Sequence, residues 1–147
     1  MSEWSLSTIT DRLEIEDLMR KYAWAIDHGN FDELDQVFTP DAVLDYTTAG
    51  GIKGAYPEVK EWLAGVLPGF PAYQHLVTNT EVTLNGDSAT ARSAFYNPMG
   101  HDRPDGTRAY FFCGGEYRDQ LTRTANGWRI NNRFEQTVWF DGEFPRA

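Results

Sequence analysis

Asp27 is the first residue in the chain that asks for a chemical explanation. It falls in the last turn of a readable helix, where the macrodipole carries about half a negative charge and disfavours a carboxylate by roughly 0.3–1 kcal/mol. A cation or a hydrogen bond from a histidine would compensate it; without either, it is an exposed aspartate at a helix end. Tyr22 lies a little over one turn upstream on the same helix. His75 stands in the run Tyr73-Gln74-His75-Leu76-Val77, where strand alternation places Tyr73, His75 and Val77 on one largely apolar face. A histidine there is either a satisfied core residue or, beside a carboxylate, a proton acceptor.

The remaining polar candidates sit further along the chain. In Trp128 to Phe134, alternation groups Arg129, Asn131 and Arg133 opposite Trp128, Ile130 and Asn132. If the tryptophan and isoleucine are buried, the arginines are solvated, unless a bulge rotates the strand. Asn131, Asn132 and Arg133 are therefore pocket candidates that depend on which face of the strand turns inward. Asp45 and Tyr46 point opposite ways on a strand, so one of them can enter a pocket. His101 belongs to a polar stretch, and Asp119 and Glu135 are the weak candidates for a second carboxylate. Three scattered histidines and one cysteine make no metal-ligand spacing. The chain also lacks a P-loop, a dinucleotide fingerprint, a Cys-x-x-Cys pair, a His-Glu-x-x-His helix and a Gly-x-Ser-x-Gly elbow.

These residues must be positioned by elements that the sequence outlines. From Thr8 to His28, Ile15, Leu18, Met19, Tyr22, Ala25 and Ile26 recur at three- and four-residue spacings and describe one helical face. Gly29 ends that helix. Asn30 with Glu33 offers a capping box for a second helix through Phe38, and a third runs from Pro57 to Leu67. Ala42 to Thr47 reads as a strand and Ala49 to Gly54 as a turn with a short return. Tyr73–Leu84 and Ser88–Tyr96 form a hairpin across Asn85-Gly86-Asp87. Asn97 to Gly106 reads as a polar loop able to cover a pocket. Thr107–Thr122 and Trp128–Trp139 make a second pair, with a bulge at Gly114-Gly115. Helices followed by antiparallel strands predict an α+β architecture with a small-molecule pocket between the layers.

The chain's 147 residues, 41% hydrophobic and 24% charged, suit a single domain over residues 1–147. The net charge of -9 repels polyanions, so nucleic acid is not an expected partner. No apolar run reaches the roughly 20 residues that span a bilayer, so no membrane association is expected. The single cysteine and the lack of a signal-like N-terminus point to the cytoplasm.

The run from Asp11 through Tyr22 to Asp27 (DRLEIEDLMRKYAWAID), then GNFDEL from Gly29 and VFTPDA from Val37, resembles the SnoaL-like branch of the nuclear-transport-factor-2-like superfamily. The likeness continues through the Gly54 turn, the Gln74-His75 strand and the closing GWRINNR from Gly127. It implies a curved antiparallel sheet wrapped around a long N-terminal helix as a cone with a deep pocket. Members similar to scytalone dehydratase, bile-acid dehydratase and hexachlorocyclohexane dehydrochlorinase use an aspartate at the end of the first helix and a histidine on the strand after the third. Asp27 and His75 match those positions. Tyr22 matches a tyrosine of the bile-acid dehydratase pattern, Arg133 resembles an arginine of the dehydrochlorinase, and Tyr46 and His101 resemble a tyrosine and a second histidine of scytalone dehydratase. The resemblance thus implies a catalytic set of Asp27, His75 and Tyr22, with Tyr46, His101, Asn131 and Arg133 binding substrate. The implied activity is a lyase or isomerase without cofactor or metal, acting on a small hydrophobic cyclic molecule such as a steroid or polyketide. A homodimer or homotrimer is implied as well. A non-catalytic binding or assembly module is the alternative on the same fold.

Overall fold

The computed structural model describes residues 4–146; Met1 to Glu3 and Ala147, counted within the expected domain, lie outside the described residues. Helix α1 (Leu6–His28) buries Ile15, Leu18, Met19, Tyr22, Ala25 and Ile26, the face its periodicity outlines. Ser5 caps its start by accepting the Thr8 N–H at 3.3 Å. Gly29 closes it at φ 68, with its N–H on the Ala25 and Ile26 carbonyls, a backbone state that glycine adopts without strain.

The expected second helix is a 3-10 turn, Phe31–Gln36, and the Asn30 side chain makes no capping bond. Glu33 N–H donates to the Asn30 main-chain carbonyl instead, so the tighter i→i+3 pattern replaces the capping box. Strand β1 (Phe38–Asp45) begins four residues before Ala42, the expected start. After it come β2 (Lys53–Ala55) and α2 (Tyr56–Val66), with Pro57 in the first turn of α2. The rest is sheet: β3 (Ala72–Tyr73), β4 (Leu76–Asn85), β5 (Ser88–Asp102), β6 (Arg108–Thr124) and β7 (Gly127–Gly142).

The strand order is β2-β1-β7-β6-β5-β3, with β4 also paired to β5. The expectation of an antiparallel sheet needs one correction, because β1 and β7 run parallel. The β4–β7 meander reverses direction at each turn, and β7, its last strand, must sit beside a β1 that arrives by way of α1. The result is a curled, unclosed mixed sheet around α1. Its concave side carries one continuous buried cluster from both helices and the inner faces of β5, β6 and β7.

Two bulges shape this surface. Gly114 pairs with Trp139 and Gly115 with Thr137, which leaves Val138 as the extra residue. A Cβ on Gly115 would collide with the Gln136 carbonyl oxygen, and one on Gly114 with the Trp139 indole, so the expected bulge exists because these two positions carry no side chain. The second bulge decides which face of β7 turns inward. Gln120 pairs with Asn132 and Leu121 with Ile130, leaving Asn131 unpaired. One inserted residue reverses the facing of everything beyond it. Trp128 and Ile130 are buried, and so are Arg133 and Glu135.

Candidate functional site

The site starts from a gap in a strand. The expected continuous strand from Tyr73 is split into β3 and β4, with Gln74 and His75 between them. Gln74 stays tied to β5: its N–H donates to the Pro98 carbonyl at 3.1 Å, and Asn97 Nδ2 donates to its carbonyl at 2.8 Å. His75 has no strand partner for its backbone N–H, which donates instead to both Asp27 carboxylate oxygens at 2.9 and 3.0 Å. The ring turns back to the same carboxylate, with Nδ1 2.8 Å from Asp27 Oδ1. Since a carboxylate only accepts, Nδ1 carries the proton and Nε2 of the neutral ring holds the free lone pair. Asp27 thereby receives the compensation that its place at a helix C-terminus demands.

His75 lines a cavity of about 470 Å³. Around it are Ile26 from α1, Trp62, Leu63 and Val66 from α2, Phe95 and Met99 from β5, Phe111 from β6, and Phe140 and Phe144 at and after the end of β7. Its polar lining is sparse: Tyr22, Tyr46, Asn97, Cys113, Glu135, Thr48 and Thr137 beside His75. No lysine or arginine reaches it among the described residues. The Tyr22 and Tyr46 hydroxyls are 3.0 Å apart. Burial raises the pKa of Tyr22 and pushes that of Tyr46 well up, so both are neutral hydroxyls. Asp45 points the other way and accepts from the Thr47 hydroxyl at 2.6 Å. Burial likewise raises Cys113 to about 11, which leaves a thiol of low reactivity.

Three expected substrate contacts lie elsewhere. Arg133 is 1% exposed and sits beneath the cavity. Its Nε and Nη2 bind Asp119 at 2.7 and 2.8 Å, and its guanidinium packs 4.3 Å from the Tyr22 ring centre and 4.1 Å from that of Tyr117. Asn131 is the bulged residue, and its Oδ1 is buried without a partner. His101 is not in a loop: β5 extends through Asp102, and His101 Nε2–H donates to the Glu143 carbonyl at 2.7 Å. It faces a separate surface hollow with Arg103 and Glu143. The prolines and glycines of 97–106 predict a loop, yet Pro98 and Gly100 both pair across to β6.

Glu135 has more to do than its weak sequence signal suggests. It is buried, lines the cavity with Tyr22 and Tyr46, and stands opposite Tyr117 of β6. Burial raises its pKa to about 7, against the opposing pull of the Arg133 charge and the Tyr117 hydroxyl. Its spacing of two from Arg133 was the available clue, since once either faces inward both do. The apolar lining from α2, Met99 and Phe144 had no comparable signal.

The arrangement can remove a proton at one wall and bind oxygen at another, within an apolar enclosure. Among known proteins, the model of the SnoaL-like domain family matches residues 7–133. An uncharacterized protein of Mycobacterium tuberculosis, Rv2910c, is 47% identical over 133 residues, covering 89% of this chain and 88% of that protein. A scytalone-dehydratase-like protein of Novosphingobium aromaticivorans DSM 12444 superposes with a TM-score of 0.80 at 20% identity, covering 95% of this chain and 91% of that one. Hexachlorocyclohexane dehydrochlorinase LinA-type3 of Novosphingobium barchaimii LL02 superposes with a TM-score of 0.77 at 18% identity, covering 94% and 93%. At those identities the two structures share the fold.

Proposed function

The chain belongs to the SnoaL-like domain family of the nuclear-transport-factor-2-like superfamily, and from that premise we propose a cofactor-independent lyase or isomerase. His75, oriented by Asp27, removes a proton from a small, hydrophobic, cyclic substrate such as a steroid or polyketide. The observation that carries this reading is the 2.8 Å contact between His75 Nδ1 and Asp27 Oδ1, at the wall of an apolar cavity. The Asp27 carboxylate holds the Nδ1–H tautomer, so Nε2 is the atom that takes the substrate proton. Expulsion of a leaving group from the neighbouring carbon then gives elimination, and reprotonation elsewhere gives isomerisation. Tyr22 and Tyr46 supply neutral donors to a carbonyl or departing oxygen. Structural neighbours whose names include a dehydratase and a dehydrochlorinase support the lyase class.

The test uses nitrobenzisoxazole, a neutral aromatic probe whose ring opens when a base removes its carbon-bound proton, with no acid required for the phenolate that leaves. The native protein is expected to accelerate this elimination. His75→Ala and Asp27→Asn are expected to lose about 10²–10⁴-fold, the usual worth of a positioned base. Equal rates in native protein and both variants, with circular dichroism unchanged, would refute the base and leave a binding module of the same fold.

We read the assembly as a homodimer or homotrimer through the outer sheet face. Tyr96, Phe112 and Trp139 stack there, with ring centres 6.4 and 5.9 Å apart, and Tyr96 and Trp139 are exposed.

A further inference from the structure

Proton abstraction at His75 makes no use of Glu135, although this carboxyl lines the same cavity and is only 7% exposed. The nearest cation is held by another carboxylate, although its Nη1 has no hydrogen-bond partner. Arg133 lies two residues back on the same face of β7, and Asp119 holds its guanidinium through two bonds at 2.7 and 2.8 Å. Arg133 and Asp119 together are neutral, so an ionised Glu135 would place an uncompensated charge in a dry interior. A carboxyl in such a setting takes up a proton instead.

The groups facing Glu135 come from four elements: Arg133 on its own strand, Tyr117 and Cys113 on β6, Tyr22 on α1, and Tyr46 just after β1. Burial keeps the three phenols and the thiol protonated. Only Arg133 and the facing Tyr117 hydroxyl favour the carboxylate, and burial outweighs them. Tyr117 stands opposite Glu135 on β6, and the carboxyl faces the cavity, where its proton is available to a ligand. A carbonyl oxygen accepts without needing to donate, which suits a wall where the carboxyl, the phenols and the thiol all bear protons.

We propose that Glu135 donates its carboxyl proton in a hydrogen bond to the carbonyl oxygen of an uncharged ketone, so that the cavity selects neutral, largely apolar ketones over carboxylates. This deepens the reading above and rests on the same cavity being the ligand site, but it does not require His75 to be a base. It also gives the substrate a polarised carbonyl, which acidifies the carbon-bound proton that His75 would remove.

The experiment is a binding titration with prodan, a neutral naphthyl ketone whose emission shifts to longer wavelength when its carbonyl accepts a hydrogen bond. Affinity is measured at pH values on either side of about 7, on the native protein and on Glu135→Gln. The expected native result is shifted emission, with affinity falling about tenfold for each pH unit above the carboxyl's pKa. Glu135→Gln keeps a neutral donor of the same shape and is expected to bind with no such pH dependence. Naphthoate, the same rings carrying a carboxylate, is expected to bind far more weakly. An affinity that ignores pH in the native protein, an identical pH dependence in Glu135→Gln, or naphthoate binding as tightly as prodan would each overturn the proposal. Prodan undergoes no chemistry, so this result stands apart from the nitrobenzisoxazole assay. Loss of turnover with pH-dependent binding intact removes only the base, and the reverse removes only the Glu135 donor.

Discussion

Replacing Glu135 with glutamine keeps the size of the side chain and removes its proton equilibrium, which makes the energetic consequence of its burial measurable. In the folded protein the carboxyl titrates at about 7, against an ordinary value of 4.5, because burial disfavours the carboxylate more than Arg133 and Tyr117 favour it. At about 1.4 kcal/mol for each pH unit, the gap amounts to about 3 kcal/mol. Below pH 4.5 both folded and unfolded chains hold the proton and nothing is lost. Between 4.5 and about 7 the unfolded chain releases it while the folded chain keeps it, so folding weakens as pH rises. Above about 7 the whole contribution is gone.

Glu135→Gln escapes this decline. Its advantage over the native protein should be constant at low pH, grow through that window and level off, having risen by up to about 3 kcal/mol, or roughly 6–12 °C in Tm for a chain of this size. Urea unfolding followed by tryptophan fluorescence across a pH series measures it. Subtracting the two proteins cancels carboxylates that titrate the other way, such as Asp11, lowered by Arg123, and Asp35, lowered by Tyr56 and Lys60. A difference that does not vary with pH, or that shrinks as pH rises, would refute the reasoning.

Asp119→Ala leaves Arg133 buried without its carboxylate and is expected to cost about 3–5 kcal/mol, whereas Asp119→Leu combined with Arg133→Met should recover most of that loss. Urea midpoints of the single and double variants decide it, and strictly additive losses would contradict the ion-pair account. Trp139→Lys places a charge in the exposed Tyr96–Phe112–Trp139 stack and should shift the protein to monomer in sedimentation. A native protein that is itself monomeric at micromolar concentration would remove the assembly proposal.

The most legible parts of the sequence were those governed by local periodicity. The buried face of α1 follows from spacing alone, and the Asn85-Gly86-Asp87 turn delivers the β4–β5 hairpin with Asn85 opposite Ser88. Asp27 was legible as a problem, a carboxylate at the wrong end of a dipole, and the structure supplies its partner. Arg133 was not, because alternation counted from Trp128 presumes unbroken register, and the extra residue at Asn131 reverses it. Only the facing strand decides where such an insertion sits. His101 was misplaced for a related reason: proline and glycine signal loops in isolation, yet Pro98 and Gly100 are held between β3, β6 and Gln74 by partners distant in sequence. The break at His75 is equally non-local, since it needs Asp27 to take the amide that a strand would otherwise use.

The parallel pairing of β1 with β7 also shapes how the protein is made. Val43 lies beside Asn132, so during synthesis the first strand waits for one roughly ninety residues behind it. At about 5–20 residues per second that wait is on the order of five to twenty seconds. Throughout it, β1 has β2 on one edge and an open row of amides and carbonyls on the other, the kind of edge that nascent chains join by mistake. Closure also carries the entropy of a long loop. The strand that completes the sheet also brings Glu135 and Arg133, so the cavity floor and the finished sheet form in a single step.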